Sequence, residues 1–280
     1  MTALTVLGTG PLATIQDRGR PGQGSLGVPV SGACDQHSYE LANRLVGNLP
    51  GAAAIEVTFG GLALRAESDA IVAITGAPCP GAPLNAPATL RAGEVLRLGP
   101  PRSGLRTYIA VRGGVDVPKV LGSRSTDLLS GLGPEPLSAG QTLPIACEHE
   151  PMPGVDLAAV ADPPAGEVVV RVSPGPRRDW FTDGGWASLL GQTYTVSSNS
   201  NRIGVRLEGT PLERARDTEL PSEGMALGAL QIPPSGLPVL FLADHPVTGG
   251  YPVIGYVAGP DLDACAQLRP GQPLRFSWPG

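Results

Sequence analysis

Glycine and proline make up a quarter of this chain, 39 and 31 of its 280 residues, and they are spread evenly with no repeat period. Each proline removes a backbone donor and each glycine loosens the chain, so long helices are disfavoured and short strands joined by turns are favoured. The fold is therefore expected to be mainly β, with a few short helices. At this length the chain can bury one large core or two smaller ones. The stretch from Cys147 to Gly166 is rich in Pro and Asp, with Met152-Pro153-Gly154 and Ala161-Asp162-Pro163-Pro164-Ala165-Gly166, and reads as a linker. It separates an N-terminal β-rich subdomain over 1–160 from a C-terminal subdomain over 167–280.

Charge narrows the partners. The formal net charge is −5, and basic residues cluster no further than pairs such as Arg177-Arg178. Nucleic-acid binding needs a basic face from which counterions are released, so no nucleic acid is expected. The start, Met1-Thr2-Ala3-Leu4-Thr5-Val6-Leu7, has neither the basic region nor the apolar core of a signal peptide. No apolar run approaches the length of a membrane span. The expectation is a soluble, cytoplasmic protein with no membrane contact. Cys34, Cys79, Cys147 and Cys265 lie far apart, the three histidines form no ligand motif, and no metal is expected. Neither G-x-x-x-x-G-K-[ST] nor a G-x-G-x-x-G directly following a strand is present.

Local patterns predict the elements. Strands are expected at Leu4–Leu7, Ala13–Gln16, Ile55–Phe59, Ile71–Ile74, Glu94–Leu98, Thr107–Arg112, Val168–Val172 and Leu274–Trp278, and others around Val205 and Leu240. In Ile55–Phe59 the alternation gives one buried face and leaves Glu56 facing solvent. A helix begins at the N-cap Asp35, carries Leu41, Ala42, Leu45 and Val46 on one face, and ends at Gly47 in a left-handed conformation. On it Asn43 has poor helix propensity, which points to a tertiary hydrogen bond. Asp17 and Arg20 flank a turn and could pair across it. The Gly113–Pro118 and Leu121–Thr126 loops combine glycine with Arg, Ser and Thr, a mixture able to hold an anion. Trp180, Phe181 and Trp186 read as core, and Asp261 as the cap of a short helix running to Leu268.

The second half concentrates the chemistry. Arg202 follows small polar residues and precedes Ile203-Gly204, and its guanidinium fork suits a carboxylate or phosphate. Asp244 ends the apolar run Val239–Ala243, either as a turn-former or as a buried base or anchor. His245 adds an imidazole, a side-chain type suited to giving and taking a proton. Thr248-Gly249-Gly250 offers backbone N–H groups that could polarise a carbonyl.

Several separated motifs carry a resemblance. Towards the N-terminus these are Gln16-Asp17 with Gly19-Arg20-Pro21, Ser31-Gly32-Ala33 with Asp35, Ala42-Asn43, Gly47-Asn48 and Glu56. Towards the C-terminus they are Asn201-Arg202-Ile203-Gly204, Arg206-Leu207-Glu208-Gly209, Ser222-Glu223-Gly224, Gly228–Pro234 and Thr248-Gly249-Gly250-Tyr251-Pro252. Over nearly its whole length the chain resembles the biotin-dependent carboxyltransferase-like family, which includes allophanate hydrolase subunit 2, the C subunit of 5-oxoprolinase, KipA and half of the carboxyltransferase domain of urea carboxylase. The resemblance implies a cyclophilin-like β-barrel architecture in two subdomains. It implies a subunit of an ATP-dependent hydrolase of a small amide, foremost 5-oxoproline to glutamate. The alternatives are a non-catalytic KipA-like regulatory partner and a carboxyltransferase component acting on urea. ATP is implied for the complex, and biotin by family analogy alone. The implied partner is a KipI-like protein (the B subunit of 5-oxoprolinase or allophanate hydrolase subunit 1) in a heterotetramer, with a third component, the A subunit. Arg202, Asp244, His245 and Glu223 are implied as catalytic, and Gln16, Asp17, Arg20, Asn43, Gln231, Thr248, Gly249, Gly250 and Tyr251 as substrate-binding. The chain departs from the family pattern at Pro246-Val247, at Asn201 and Ile203, and at Gly133-Pro134-Glu135-Pro136-Leu137 with Gln141.

Overall fold

The structure, a computed structural model, describes residues 2–147, 149–216 and 218–278. The chain divides into two compact units. The first takes up the chain to Arg20, Ser31–Asp127 and Gly131–Pro163; the second takes up Pro21–Val30, Leu128–Ser130 and the chain from Pro164. Two short excursions of the first half thus belong to the second unit.

The first unit contains β1 (Ala3–Thr9), β2 (Leu12–Gln16), α1 (Gln36–Leu45), β3 (Ala54–Thr58), β4 (Leu62–Ala66), β5 (Ala70–Gly76), β6 (Pro87–Leu90), β7 (Val95–Arg97), β8 (Arg106–Val111) and β9 (Thr142–Pro144). They build a four-stranded sheet in the order β7-β4-β1-β9 and a five-stranded sheet in the order β2-β3-β8-β5-β6. Ile55, Val57, Ile109 and Val111 pack with Leu4, Val6 and Leu64 of the other sheet. On the opposite face Ala54, Ala73 and Ala110 meet Leu41, Ala42 and Leu45 of α1, where small side chains let the helix backbone come close. The helix is built as expected. Asp35 accepts hydrogen bonds from Ser38 N at 2.9 Å and Ser38 Oγ at 2.7 Å, and Gly47 takes a φ of 64° just past the C-cap.

One expectation for this unit fails. Glu56 does not face solvent: it is 1% exposed on the helix-facing side of β3. There it accepts hydrogen bonds from Cys34 N at 2.9 Å and Tyr108 Oη at 2.8 Å, beside Arg106 at 3.5 Å. Burial, and then the nearby Glu56 carboxylate, push the Tyr108 phenol well above its ordinary range and keep it a donor. Alternation along β3 is real, but both faces of a strand at the centre of three layers are covered.

The second unit contains β10 (Val168–Pro174), α2 (Asp183–Gly191), β11 (Thr193–Val196), β12 (Gly204–Glu208), β13 (Glu223–Gly224), β14 (Ala229–Gln231), β15 (Val239–Phe241), β16 (Thr248–Gly249), β17 (Val253–Val257), α3 (Gly259–Ala266) and β18 (Pro273–Ser277). Seven of its strands close into a barrel in the order β10-β17-β14-β15-β12-β11-β18. The closing pair β10 and β18 is parallel, and the other barrel pairs are antiparallel. Val170, Val205, Leu230, Leu240, Ile254 and Phe276 share its core with Trp180, Phe181 and Trp186, as their apolar character predicts. β13 and β16 form a separate two-stranded ribbon.

Asp261 does not cap α3. The cap is Ala258, and Pro260 enters within the first turn, where its missing N–H is lost at no cost. The Asp261 carboxylate is turned instead to Arg171, accepting from its backbone N at 2.6 Å, Nε at 3.0 Å and Nη2 at 2.7 Å. Among the described residues no helix is long and apolar enough to cross a membrane, and no group of three or more His, Cys, Asp and Glu could hold a metal ion.

Candidate functional site

In the first unit the sequence-predicted residues are drawn inward. Asp17 and Arg20 do not pair with each other. The Asp17 carboxylate accepts from Ser123 Oγ and Ser125 Oγ, both at 2.6 Å, from Arg124 N at 2.6 Å and from Gly19 N at 2.7 Å. The Ser/Arg/Ser loop therefore does hold an anion, but that anion is a side chain of this protein. Arg20, 1% exposed, donates to the carbonyls of Ser125 and Val120 and lies 3.8 Å from Asp127. Gln16 is fully enclosed and donates to Thr14 Oγ1 and the Thr126 carbonyl. These three buried side chains brace the 123–127 loop against β2.

Asn43 is placed differently. It donates to the carbonyls of Tyr39 at 3.3 Å and Ala52 at 3.1 Å, and its Oδ1 accepts from Asn48 at 2.7 Å. That is the tertiary bonding its weak helix propensity suggested. With Tyr39, Glu40 and Arg44 it also lines a pocket of about 140 Å³.

In the second unit β12 and β15 pair Gly204 with Phe241, and the pairing runs on past the strand ends. Leu242 N donates to the Ile203 carbonyl at 2.9 Å and Asp244 N to the Arg202 carbonyl at 3.0 Å. The Asn201 side chain accepts from Ile203 N and Gly204 N and sets the turn before β12. This extension puts Arg202 and Asp244 side by side. Nε and Nη2 of Arg202 each reach the Asp244 carboxylate at 2.9 Å, with the two side chains 1% and 0% exposed. Asp244 also accepts from Leu128 N at 3.2 Å, which fixes the Leu128–Ser130 excursion to this unit. The Arg202 fork is turned onto a carboxylate of the same chain. Of the two readings left open for Asp244, a turn-former or a buried base or anchor, the carboxylate is the buried one.

Next to it His245 is 8% exposed, its ring tilted 35° to that of Phe241 with centroids 6.2 Å apart, and Nδ1 2.8 Å from the Pro246 carbonyl. A carbonyl can only accept, so Nδ1 carries the proton and Nε2 keeps the lone pair in the neutral ring.

Glu223 and the Thr248-Gly249 pair meet in the β13–β16 ribbon, with Glu223 opposite Gly249. Both carboxylate oxygens of Glu223 are bonded by Arg177, whose hydrogen bonds hold the carboxyl below its ordinary range. A depressed carboxylate already held by a guanidinium is a poor base. Gln231 donates to the Tyr251 carbonyl at 3.2 Å, and its Nε2 would stand 2.6 Å from a Cβ placed on Gly249. Gly250 and Tyr251 line a larger pocket of about 490 Å³. Arg214 lines it too, and sequence reasoning missed it. The run Glu213-Arg214-Ala215-Arg216 reads as an ordinary charged surface, and nothing in its local pattern separates one arginine from the other.

With this geometry in place the known relatives are informative. The C subunit of 5-oxoprolinase from Escherichia coli K12 is 37% identical over 98% of this chain and 90% of its own length. Urea amidolyase of Lachancea kluyveri is 33% identical over 98% of this chain, which spans 17% of that protein. The crystal structure of TTHA0988 superposes with a TM-score of 0.89 at 34% identity, covering 99% of this chain and 56% of that one. Residues 26–278 match the family model described as carboxyltransferase domain, subdomain A and B. The chain therefore belongs to the carboxyltransferase domain family, subdomains A and B.

Proposed function

We propose that this chain is a subunit of a multi-subunit hydrolase that opens 5-oxoproline to glutamate, consuming ATP at the level of the complex. One observation carries the reading: the chain accounts for 90% of the length of a 5-oxoprolinase C subunit, with 37% identity, and for 17% of a urea amidolyase. In the reaction water adds to the lactam carbonyl, the ring C–N bond breaks, and the nitrogen leaves with a proton. Of the residues predicted as catalytic, His245 is the one suited to move that proton, through Nε2. Asn43, Gly250 and Tyr251 are the predicted substrate-binding residues that stand at pockets.

A nucleotide phosphate does not fit the 121–126 loop, because the hydroxyls and the amide that would cradle it are bonded to Asp17. No step is assigned to ATP or to biotin on this chain. The partners in this reading are a KipI-like protein, equivalent to the B subunit of 5-oxoprolinase, and a third component, the A subunit. A regulatory, non-catalytic role beside the KipI-like protein is the second reading, favoured by the internal pairing of Arg202, Asp244 and Glu223. The two are separated by assembling the chain with its partners and following glutamate release from 5-oxoproline with ATP. Release that falls at least about a hundredfold on His245→Ala supports the catalytic reading. Full activity without this chain, or with His245→Ala, sinks it.

A further inference from the structure

The pocket that holds Gly250 and Tyr251 contains an arginine, Arg214, whose charge has no carboxylate counterpart among the described residues. In this unit Arg177 is paired with Glu223, Arg178 with Asp183, and Arg216 with Asp179, where it also lies 5.8 Å from the Trp180 ring centroid. Arg214 has no ion pair among the described residues. Its Nη2 donates to the Ile232 carbonyl, while Nε is shielded from solvent with no hydrogen-bond partner among the described residues. The residue as a whole is only half-buried, and a guanidinium with no carboxylate partner among the described residues favours an anionic acceptor at its open edge.

The surroundings are built to hold this arginine in place. Ala215 N donates to the Trp180 carbonyl at 2.8 Å, Leu212 N to the Gly236 carbonyl at 2.9 Å, and Ile232 N to the Pro252 carbonyl at 3.0 Å. The strand-like segment carrying Arg214 is thus tied on either side, and it also bridges to Phe181. Trp180, Leu220, Pro234 and Pro252 give the pocket apolar wall, and the exposed Glu219 brings a carboxylate to the same lining without pairing to Arg214. A volume of about 490 Å³ falls within the range of small-molecule sites, roughly 300–1,000 Å³.

We propose that this pocket binds a small molecule bearing a carboxylate beside an amide N–H, with Arg214 taking the carboxylate and Glu219 the N–H. If the hydrolase reading above is right, the ligand is 5-oxoproline itself, and for that identity the inference rests on it. A cation and an anion that share a pocket, neither paired among the described residues, select for a ligand with both complements, and a ligand missing the carboxylate leaves the guanidinium unanswered.

The test uses the full chain alone in calorimetry, with L-5-oxoproline and with 2-pyrrolidinone, the same ring without the carboxylate. The acid is expected to bind at least about tenfold more tightly. Arg214→Met should remove that advantage while the melting temperature stays within a few degrees of the parent. Should that variant not fold, Arg214→Lys keeps the charge but lacks the forked donors, and it should lose the advantage too. Equal binding of the two rings, no binding of the acid, or an advantage that survives either variant overturns the site. Failure of the hydrolase reading shows elsewhere. An assembled complex that releases no glutamate leaves this binding contrast standing, whereas a working complex whose KM for 5-oxoproline is unchanged by Arg214→Met overturns the pocket and keeps the reaction.

Discussion

Arg202 and Asp244 show how far a residue's role depends on its partner. The pair is fully enclosed, so removing one member leaves the other as an uncompensated buried charge. Arg202→Met is expected to lower unfolding stability by about 3–5 kcal/mol in urea titration. Replacing both, as Arg202→Met with Asp244→Leu, should recover much of that loss if the pair is structural. A double variant as unstable as the single one would contradict this. At the surface, Asp261 supplies a pH test. Hydrogen bonds from Arg171 hold its carboxyl below the ordinary 3.8, so its stabilisation is present above that value. It is lost as pH falls through the lower, folded-state value. Asp261→Asn should therefore flatten the acid limb of the stability profile below about pH 4 and lower the neutral plateau. An unchanged acid limb would count against the bond network around Arg171.

At the scale of elements, α1 is the one whose sequence signals and structure coincide from end to end. Its cap carboxylate satisfies Ser38 N, so Asp35→Ala should cost about 1 kcal/mol, and up to about 2, in denaturant unfolding. Asp35→Ser, which keeps an acceptor, should restore most of it. Strand β3 shows the opposite outcome. Its alternating apolar residues identify it as a strand, but the same alternation suggests a solvent face for Glu56, and α1 covers that face. Alternation reports which residues share a side; it does not report what lies on the other side. The β13–β16 ribbon teaches a related lesson. Ser222-Glu223-Gly224 and Thr248-Gly249-Gly250 stand out as polar, glycine-rich stretches, while their pairing with each other is a long-range event. There Gly249→Ala should push the Gln231 amide off the Tyr251 carbonyl, because a Cβ would come within 2.6 Å of it. The Gln231 side-chain amide resonances should shift, and resonances that stay in place would argue against the close approach.

For the whole molecule, the expectation is assembly: purified with a KipI-like protein, the chain should elute in a larger complex. Elution of both at their separate masses, 28.6 kDa for this chain, would count against a shared enzyme. Read alone, the sequence determined that the chain is mainly β, where its clearest helix starts and stops, and which family it resembles. Those properties depend on local dihedral preferences, on apolar periodicity and on motifs whose order along the chain is preserved. Only the tertiary structure decided which charges answer each other. Asp17 is met by a loop more than a hundred residues away, Arg202 by Asp244 forty-two residues on, and Arg214 by no carboxylate among the described residues. A charge is stabilised by whatever the fold brings within a few ångströms of it, and that distance is not encoded in the residue's own neighbours along the chain.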